Sequence, residues 1–266
     1  MPKLSVRNLS KSYPNGDSDD VIEVLDDISF DVHEGELLGI VGPSGCGKTT
    51  LLKIIAGLLE PDKGQVFIDE KEVHPGHNRV GYIFQQESLF PWRTVRQNIQ
   101  FGLEVAGVDS SEMRARVDEI IKIVGMGGLE DNYPHEISGG QARKTEMARS
   151  LVVSPDILVA DEALSNLDAQ TRNYLQEEFL RVQKQTGSTI VFVSHNVDEA
   201  VFMSDRILIM SNIPGKILAE YEVDVPKPRI RTSPECLAYR SDILEVLKVE
   251  QEKAMSRSRP RQSAST

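Results

Sequence analysis

Gly42-Pro43-Ser44-Gly45-Cys46-Gly47-Lys48-Thr49 fits the pattern G-x-x-x-x-G-K-[ST], with the apolar run Leu37-Leu38-Gly39-Ile40-Val41 before it and the helix-like stretch Thr50 to Leu58 after it. Strand, tight loop and helix follow in that order. Small residues let such a loop wind until successive backbone N–H groups converge on one point, where the next helix adds the positive end of its dipole. That arrangement suits a phosphate. Lys48 supplies a point charge for the terminal phosphates, and the Thr49 hydroxyl is a hard oxygen ligand of the kind Mg²⁺ prefers. The candidate nucleotide contacts are therefore residues 42–49, with Thr50 behind them.

The chain has 266 residues, 39% of them hydrophobic, enough for one large core or two smaller ones. No run is long enough to cross a bilayer and the first residues lack the apolar segment of a secretory signal, so a cytosolic chain is expected. The two cysteines, Cys46 and Cys236, are expected to be reduced, because a disulfide at Cys46 would obstruct the loop. Converging amides, Lys48 and a helix N-terminus predict a reactive Cys46 thiolate shielded by nucleotide; the alternative is a thiol turned into the core as a small apolar filler. A net charge of −11 argues against a nucleic-acid partner.

Residues 3–9, 28–33, 36–41 and 64–69 read as strands, some antiparallel, and Val80 to Phe84 as another. A helical insert follows, with helices over 94–105 and 110–124. In the second, Met113, Val117, Ile120, Ile121 and Val124 recur at helical spacing, Asp109 or Ser110 caps the start and Gly125 the end. Strands at 157–160, 190–193 and 207–210 then alternate with helices near 169–185 and 197–203, which implies a parallel sheet. A hairpin at Asn212-Ile213-Pro214-Gly215, a linker at Val225-Pro226-Lys227-Pro228 and a helix over 234–253 complete the order, and the Ser/Arg-rich stretch 254–266 reads as disordered, with a lipid tether as its other reading. The expected class is α/β: a phosphate-loop NTPase core with a mostly parallel sheet, an antiparallel β subdomain and a helical subdomain over about 88–155 within a domain 1–225, followed by an extension 226–266.

Ile157-Leu158-Val159-Ala160-Asp161-Glu162 is a buried strand ending in two carboxylates, where ligands of open α/β sheets collect. Asp161 suits Mg²⁺, held through water, and Glu162 suits the polarisation of a water attacking the γ-phosphate. Upstream, Ile137-Ser138-Gly139-Gly140-Gln141 opens a helix, and with it the chain resembles the ATP-binding cassette family, whose signature is L-S-G-G-Q. The resemblance covers residues 3–222. It implies that Gln85, after Phe84, is the Q-loop glutamine, which ligates Mg²⁺ or the lytic water. It further implies that Ser165-Asn166-Leu167-Asp168 is the D-loop, that His195 is the switch histidine facing the γ-phosphate, and that Tyr13 stacks on adenine. Ser138, Gly139, Gly140 and Gln141 form a second anion site on the same chain, and the family uses it by packing two cassettes head to tail.

The resemblance implies ATP and Mg²⁺ as cofactors, ATP hydrolysis as the activity, and as partners a second ATPase subunit, two transmembrane permease subunits and, indirectly, a solute-binding protein. The chain is then expected on the cytoplasmic face of the cell membrane. Phe90-Pro91-Trp92-Arg93-Thr94-Val95 and Arg231-Thr232-Ser233-Pro234-Glu235 with Ile243-Leu244 are similar to the nitrate, sulfonate, taurine and bicarbonate importer group. A soluble ABC-type ATPase with a regulatory or nucleic-acid-linked role is the alternative. Phe90 and Trp92 read equally as the lining of a groove for a permease helix or as core of the helical insert. Two departures stand out: Ala163 replaces a frequent Pro, and Glu146 stands where a small or aliphatic residue is usual, so that either Arg143 or Arg149 pairs with it or that face is open.

Overall fold

The structure is a computed structural model of the chain that describes residues 1–15, 20–76, 79–165 and 167–258, the last five by backbone alone. Asn166 of the expected D-loop and residues 259–266 of the expected tail lie outside the described residues.

Five parallel strands and one antiparallel strand make a six-stranded sheet. In chain order they are β3 (Leu37–Val41), β6 (Val80–Ile83), β7 (Ile157–Asp161), β8 (Thr189–Ser194), β9 (Arg206–Met210) and β10 (Ile217–Glu222), and across the sheet the order is β10-β9-β3-β8-β7-β6. β10 pairs antiparallel with β9 across the turn 212–215, as a hairpin there requires. The second sheet is antiparallel, in the order β2-β1-β4-β5, from β1 (Leu4–Pro14), β2 (Val21–Val32), β4 (Lys63–Ile68) and β5 (Lys71–Glu72). β1 and β2 run far beyond the expected 3–9 and 28–33, because residues 11–14 pair their backbones with 21–25, and Leu25 adds a buried side chain to the second core there.

The parallel strands are apolar on both faces, as a sheet covered on both sides must be. Leu37, Val41, Leu158, Ala160, Ile190 and Phe192 join one core. It is completed by α2 (Val95–Val105), α3 (Ser110–Val124), α4 (Gly139–Leu151), α5 (Ala169–Thr186) and α6 (Val197–Met203). Their neighbours Leu38, Ile40, Ile157, Val159, Val191 and Val193 face a second core with α1 (Lys48–Ile55) and the antiparallel sheet. The period-two alternation of the strand therefore divides the molecule into two packed layers. Asp109 caps α3 by accepting from the Ser111 N–H, and Gly125 ends it in the left-handed region at φ 67°.

The last helix, α7 (Pro234–Ser258), places Cys236 and Ile243 in the first core. It continues five residues past the expected end at Lys253, so the expected disorder does not begin at Ala254: the backbone of 254–258 keeps its helical bonds. The expected linker at 225–228 is pinned. Arg229 is buried and donates to the carbonyls of Val201, Ser204, Val223 and Val225, two of which lie at the otherwise open C-terminal end of α6.

Gly39 lies at the centre of β3, where a Cβ would come within 2.3 Å of Ser204 Oγ and 3.2 Å of the Phe192 ring. Gly39→Ala should lower the unfolding free energy by about 1–3 kcal/mol, read by denaturant titration with an unchanged slope.

Candidate nucleotide site

Register brings the site together. Asp161 pairs with Val193, Ile83 with Ala160, and Val41 with Ser194, so the residues just past the carboxyl ends of β6, β7, β3 and β8 emerge at one edge of the sheet. These are Gln85, Glu162, the loop 42–49 and His195. Gln85 Nε2 donates to Glu162 Oε2 at 3.2 Å, and His195 Nδ1 donates to the same oxygen at 3.1 Å. Three residues assigned from separate motifs thus meet on one carboxylate atom. Glu162 itself sits at φ 44°, a left-handed conformation that is costly for a residue with a Cβ and characteristic of sites that must aim a side chain. Its amide donates to Val193 O at 3.1 Å, and Ser165 donates back to Glu162 O through both N–H and hydroxyl, which fixes the turn although Ala163 replaces the frequent proline.

The Thr49 hydroxyl donates to Asp161 Oδ1 at 3.0 Å, and the Tyr82 hydroxyl donates to Oδ2 at 3.0 Å. Burial raises the Asp161 carboxyl above its ordinary range, against the lowering effect of these two bonds. Burial beside Asp161 pushes the Tyr82 phenol up as well, so it stays a donor. Tyr82 is a site neighbour that motif reading missed. Its signal is position: it stands two residues before Phe84, paired with Val159 of β7 and packed against the second core. Thr49, Asp161 and Gln85 offer hard oxygens, which fit Mg²⁺. Among the described residues no group of three or more His, Cys, Asp or Glu side chains is placed to hold a metal unaided, so such an ion would take its other ligands from phosphate and water.

Lys48 begins α1, and its ammonium donates to the carbonyls of Gly42 and Pro43 at 2.8 and 3.0 Å. Gly47 precedes it at φ 100°, with Leu25 Cδ2 only 2.7 Å from where a Cβ would be, so both conformation and packing require glycine. Cys46 corrects one expectation. It is 1% exposed, packs with the second core and lies beside Gly42, and burial raises its thiol above the ordinary value in spite of Lys48. The apolar-filler reading holds, and the reactive thiolate does not. Desolvation of the buried thiol outweighs the Lys48 ammonium 3.8 Å from its sulfur and the helix end. Cys236 is buried too, and both cysteines are free.

The signature turn is preorganised. Ser138 Oγ accepts from the Gln141 N–H, and Gln141 Oε1 accepts from the Ser138 N–H, a reciprocal cap that leaves the serine hydroxyl proton and the first amides of α4 to face outward. A cleft of about 430 Å³ borders Ser138, Gly140, Gln141, Lys144, Thr171 and Tyr174. Asp168 caps α5 by accepting from the Gln170 and Thr171 amides at 3.0 Å, and the Thr171 hydroxyl, with those amides, holds its carboxyl below the usual range. Arg172, which the motifs did not flag, donates to Leu164 O and Leu167 O in the segment that leads into this cap. Tyr13 lies near the end of β1, partly exposed, with the Lys11 ammonium 5.9 Å from its ring centre. Phe90 and Trp92 divide the two readings between them. Phe90 packs edge-to-face with Phe101, ring centres 4.8 Å apart, in the insert, while Trp92 is 71% exposed.

A family model described as ABC transporter matches residues 25–165, more than half of the chain. The chain belongs to the ABC transporter family. An uncharacterised ABC transporter ATP-binding protein of Methanocaldococcus jannaschii is 47% identical over 250 residues, 93% of this chain and 92% of that protein. A taurine import ATP-binding protein, TauB, of Jannaschia sp. is 36% identical over 266 residues, covering 97% of this chain and 98% of its own length. Among solved structures, a dimeric ATP-binding cassette in a post-hydrolysis state bound to ADP and Pi matches with a TM-score of 0.71 at 28% identity, over 84% of this chain and all of that one. The expected fold class and the assignment as an ATP-binding ABC ATPase are borne out. Among the described residues, no helix of this ABC ATPase is long and apolar enough to cross a membrane.

For Cys46, alkylation by a small thiol reagent under native conditions should be slow, and its rate at this position should be the same with and without saturating nucleotide. Protection by ATP of more than about threefold, measured by peptide mapping, would restore the thiolate reading.

Proposed function

We propose that this chain is the ATP-hydrolysing subunit of an importer for a small anion, of the sulfonate, taurine, nitrate or bicarbonate kind. It works as a head-to-tail pair of cassettes against two membrane-spanning permease subunits at the cytoplasmic face. The observation that carries the hydrolytic part is the meeting of Gln85 and His195 on Glu162 Oε2, next to the Thr49–Asp161 pair. Glu162 takes the proton of the attacking water, His195 and Gln85 fix the carboxylate's orientation, and Lys48 with the α1 amides neutralises the phosphates. Thr49, Gln85 and Asp161 would hold Mg²⁺, which would supply further positive charge at the γ-phosphate.

The dimeric part is supported by the two anion-binding helix ends on one chain, at α1 and α4, since one triphosphate has no use for both. Two chains arranged head to tail use all four ends on two nucleotides, and association then depends on a γ-phosphate that both halves neutralise together. Exposed Trp92 beside Phe90 offers apolar surface for a permease helix. The solute class rests on the relative named for taurine import and on the importer-like residues at 90–95 and 231–235. Net charge of −11 is consistent with a partner other than nucleic acid.

Glu162→Gln should keep ATP binding and lower turnover by about 10²–10⁴-fold, with an ATP-bound dimer accumulating on gel filtration. Parent-rate hydrolysis in this variant would remove Glu162 from the mechanism. Shared sites are checked by mixing a Lys48→Ala chain with a Ser138→Arg chain, because the mixed dimer holds one site with both lesions and one with neither. Activity should rise well above either variant alone, and the absence of any gain despite proven mixing rules out head-to-tail pairing.

A further inference from the structure

Buried charges on α4 hold the segment that delivers Gln85 to Glu162. Arg143 and Glu146 are 7% and 1% exposed and pair at 2.6 Å inside the helical insert. Arg143 also donates to the backbone carbonyls of Phe84, at 2.8 Å, and of Gln85. The second Glu146 oxygen accepts from the Ser88 N–H at 2.5 Å and from its hydroxyl at 2.9 Å, and Arg149 donates to the Ser88 carbonyl and hydroxyl at 2.7 and 2.5 Å. From the other side Asn98, fully buried, accepts from Phe90 N–H and donates to Phe90 O.

All these bonds end on residues 84–90, which lie between β6 and α2 and have no ladder of their own. A buried ion pair is a poor stabiliser, since its desolvation offsets its attraction and an apolar pair packs as well. Its use lies in direction: charge-assisted bonds in a low dielectric tolerate little displacement.

We propose that Arg143, Glu146 and Arg149 are positioning residues that fasten segment 84–90 to α4, the helix that opens with the signature, so that Gln85 stays in register with both α4 and Glu162. The proposal rests on the reading of Gln85 as part of the hydrolytic site and names what places it there. Glu146, the departure from the family pattern, is the acceptor that joins helix charge to loop backbone.

The test uses the full chain and the double variant Arg143→Gln with Glu146→Ala, which removes the ion pair as a whole and leaves Arg149 its bonds to Ser88. Ser88→Ala, a partly exposed position, serves if the double variant does not fold. Amide hydrogen exchange over 84–90 should speed up about tenfold while exchange in β7 and β8 and the thermal midpoint hold. The kcat should fall about tenfold with KM for Mg-ATP within a factor of about two, and Gln85→Ala, costly in the parent, should add little in the double variant. Ser88→Ala should show the same pattern at about threefold. Parent-like exchange over 84–90 overturns the proposal. So does faster exchange with parent kcat, or an equal Gln85→Ala penalty in both backgrounds. Parent kcat in the Gln85→Ala chain alone would instead sink the reading of Gln85, and the exchange data would then decide the fastening by themselves.

Discussion

Parallel register is the constraint on which the rest depends. In a parallel sheet every carboxyl end points the same way, and here the pairings Val41–Ser194, Asp161–Val193 and Ile83–Ala160 align four of those ends to within a residue. A shift of one residue in β7 would carry Asp161 to the other face and separate it from Thr49. The register is held by apolar side chains on both faces of the same strands. The two cores therefore act as the alignment gauge of the site, and the polar groups need only cross gaps of about one hydrogen bond.

That arrangement explains why so much of the site was legible in the sequence. A phosphate loop, an apolar strand ending in acids and a helix opened by Ser-Gly-Gly are local patterns, each fixed by a few neighbouring residues, and the strand alternation that implies a parallel sheet is local as well. Glu162, Gln85 and His195 could be assigned singly from motif order, but their convergence on one oxygen is a property of the sheet and is written nowhere along the chain. The same holds for Tyr82, whose phenol reaches Asp161 across the β6–β7 ladder.

Where the reading failed, the reason was burial. Cys46 has the neighbours of a reactive thiol in sequence, yet its side chain turns to the core, and desolvation decides its chemistry. Glu146 stands out of place in the sequence, which leaves open a pair with Arg143, a pair with Arg149 or an open face; the fold pairs it with Arg143, and that the pair also grips the loop after β6 required the third dimension. β1 exceeds its expected length because its partly exposed end, Ser10 to Pro14, carries polar residues and a proline that look like a turn, and the mostly apolar run Val21 to Leu25 extends β2 by pairing with it.

Arg229 has a consequence for the chain's modularity. Its guanidinium closes the carbonyls at the end of α6, and α6 starts at the Asn196 cap directly after His195. The polypeptide that follows the last strand is therefore mechanically part of the mount of the histidine. A junction for an appended module that leaves the site undisturbed therefore does not fall at the Pro-rich stretch before residue 229, and α7, which puts Cys236 and Ile243 into the first core, moves it further along the chain still.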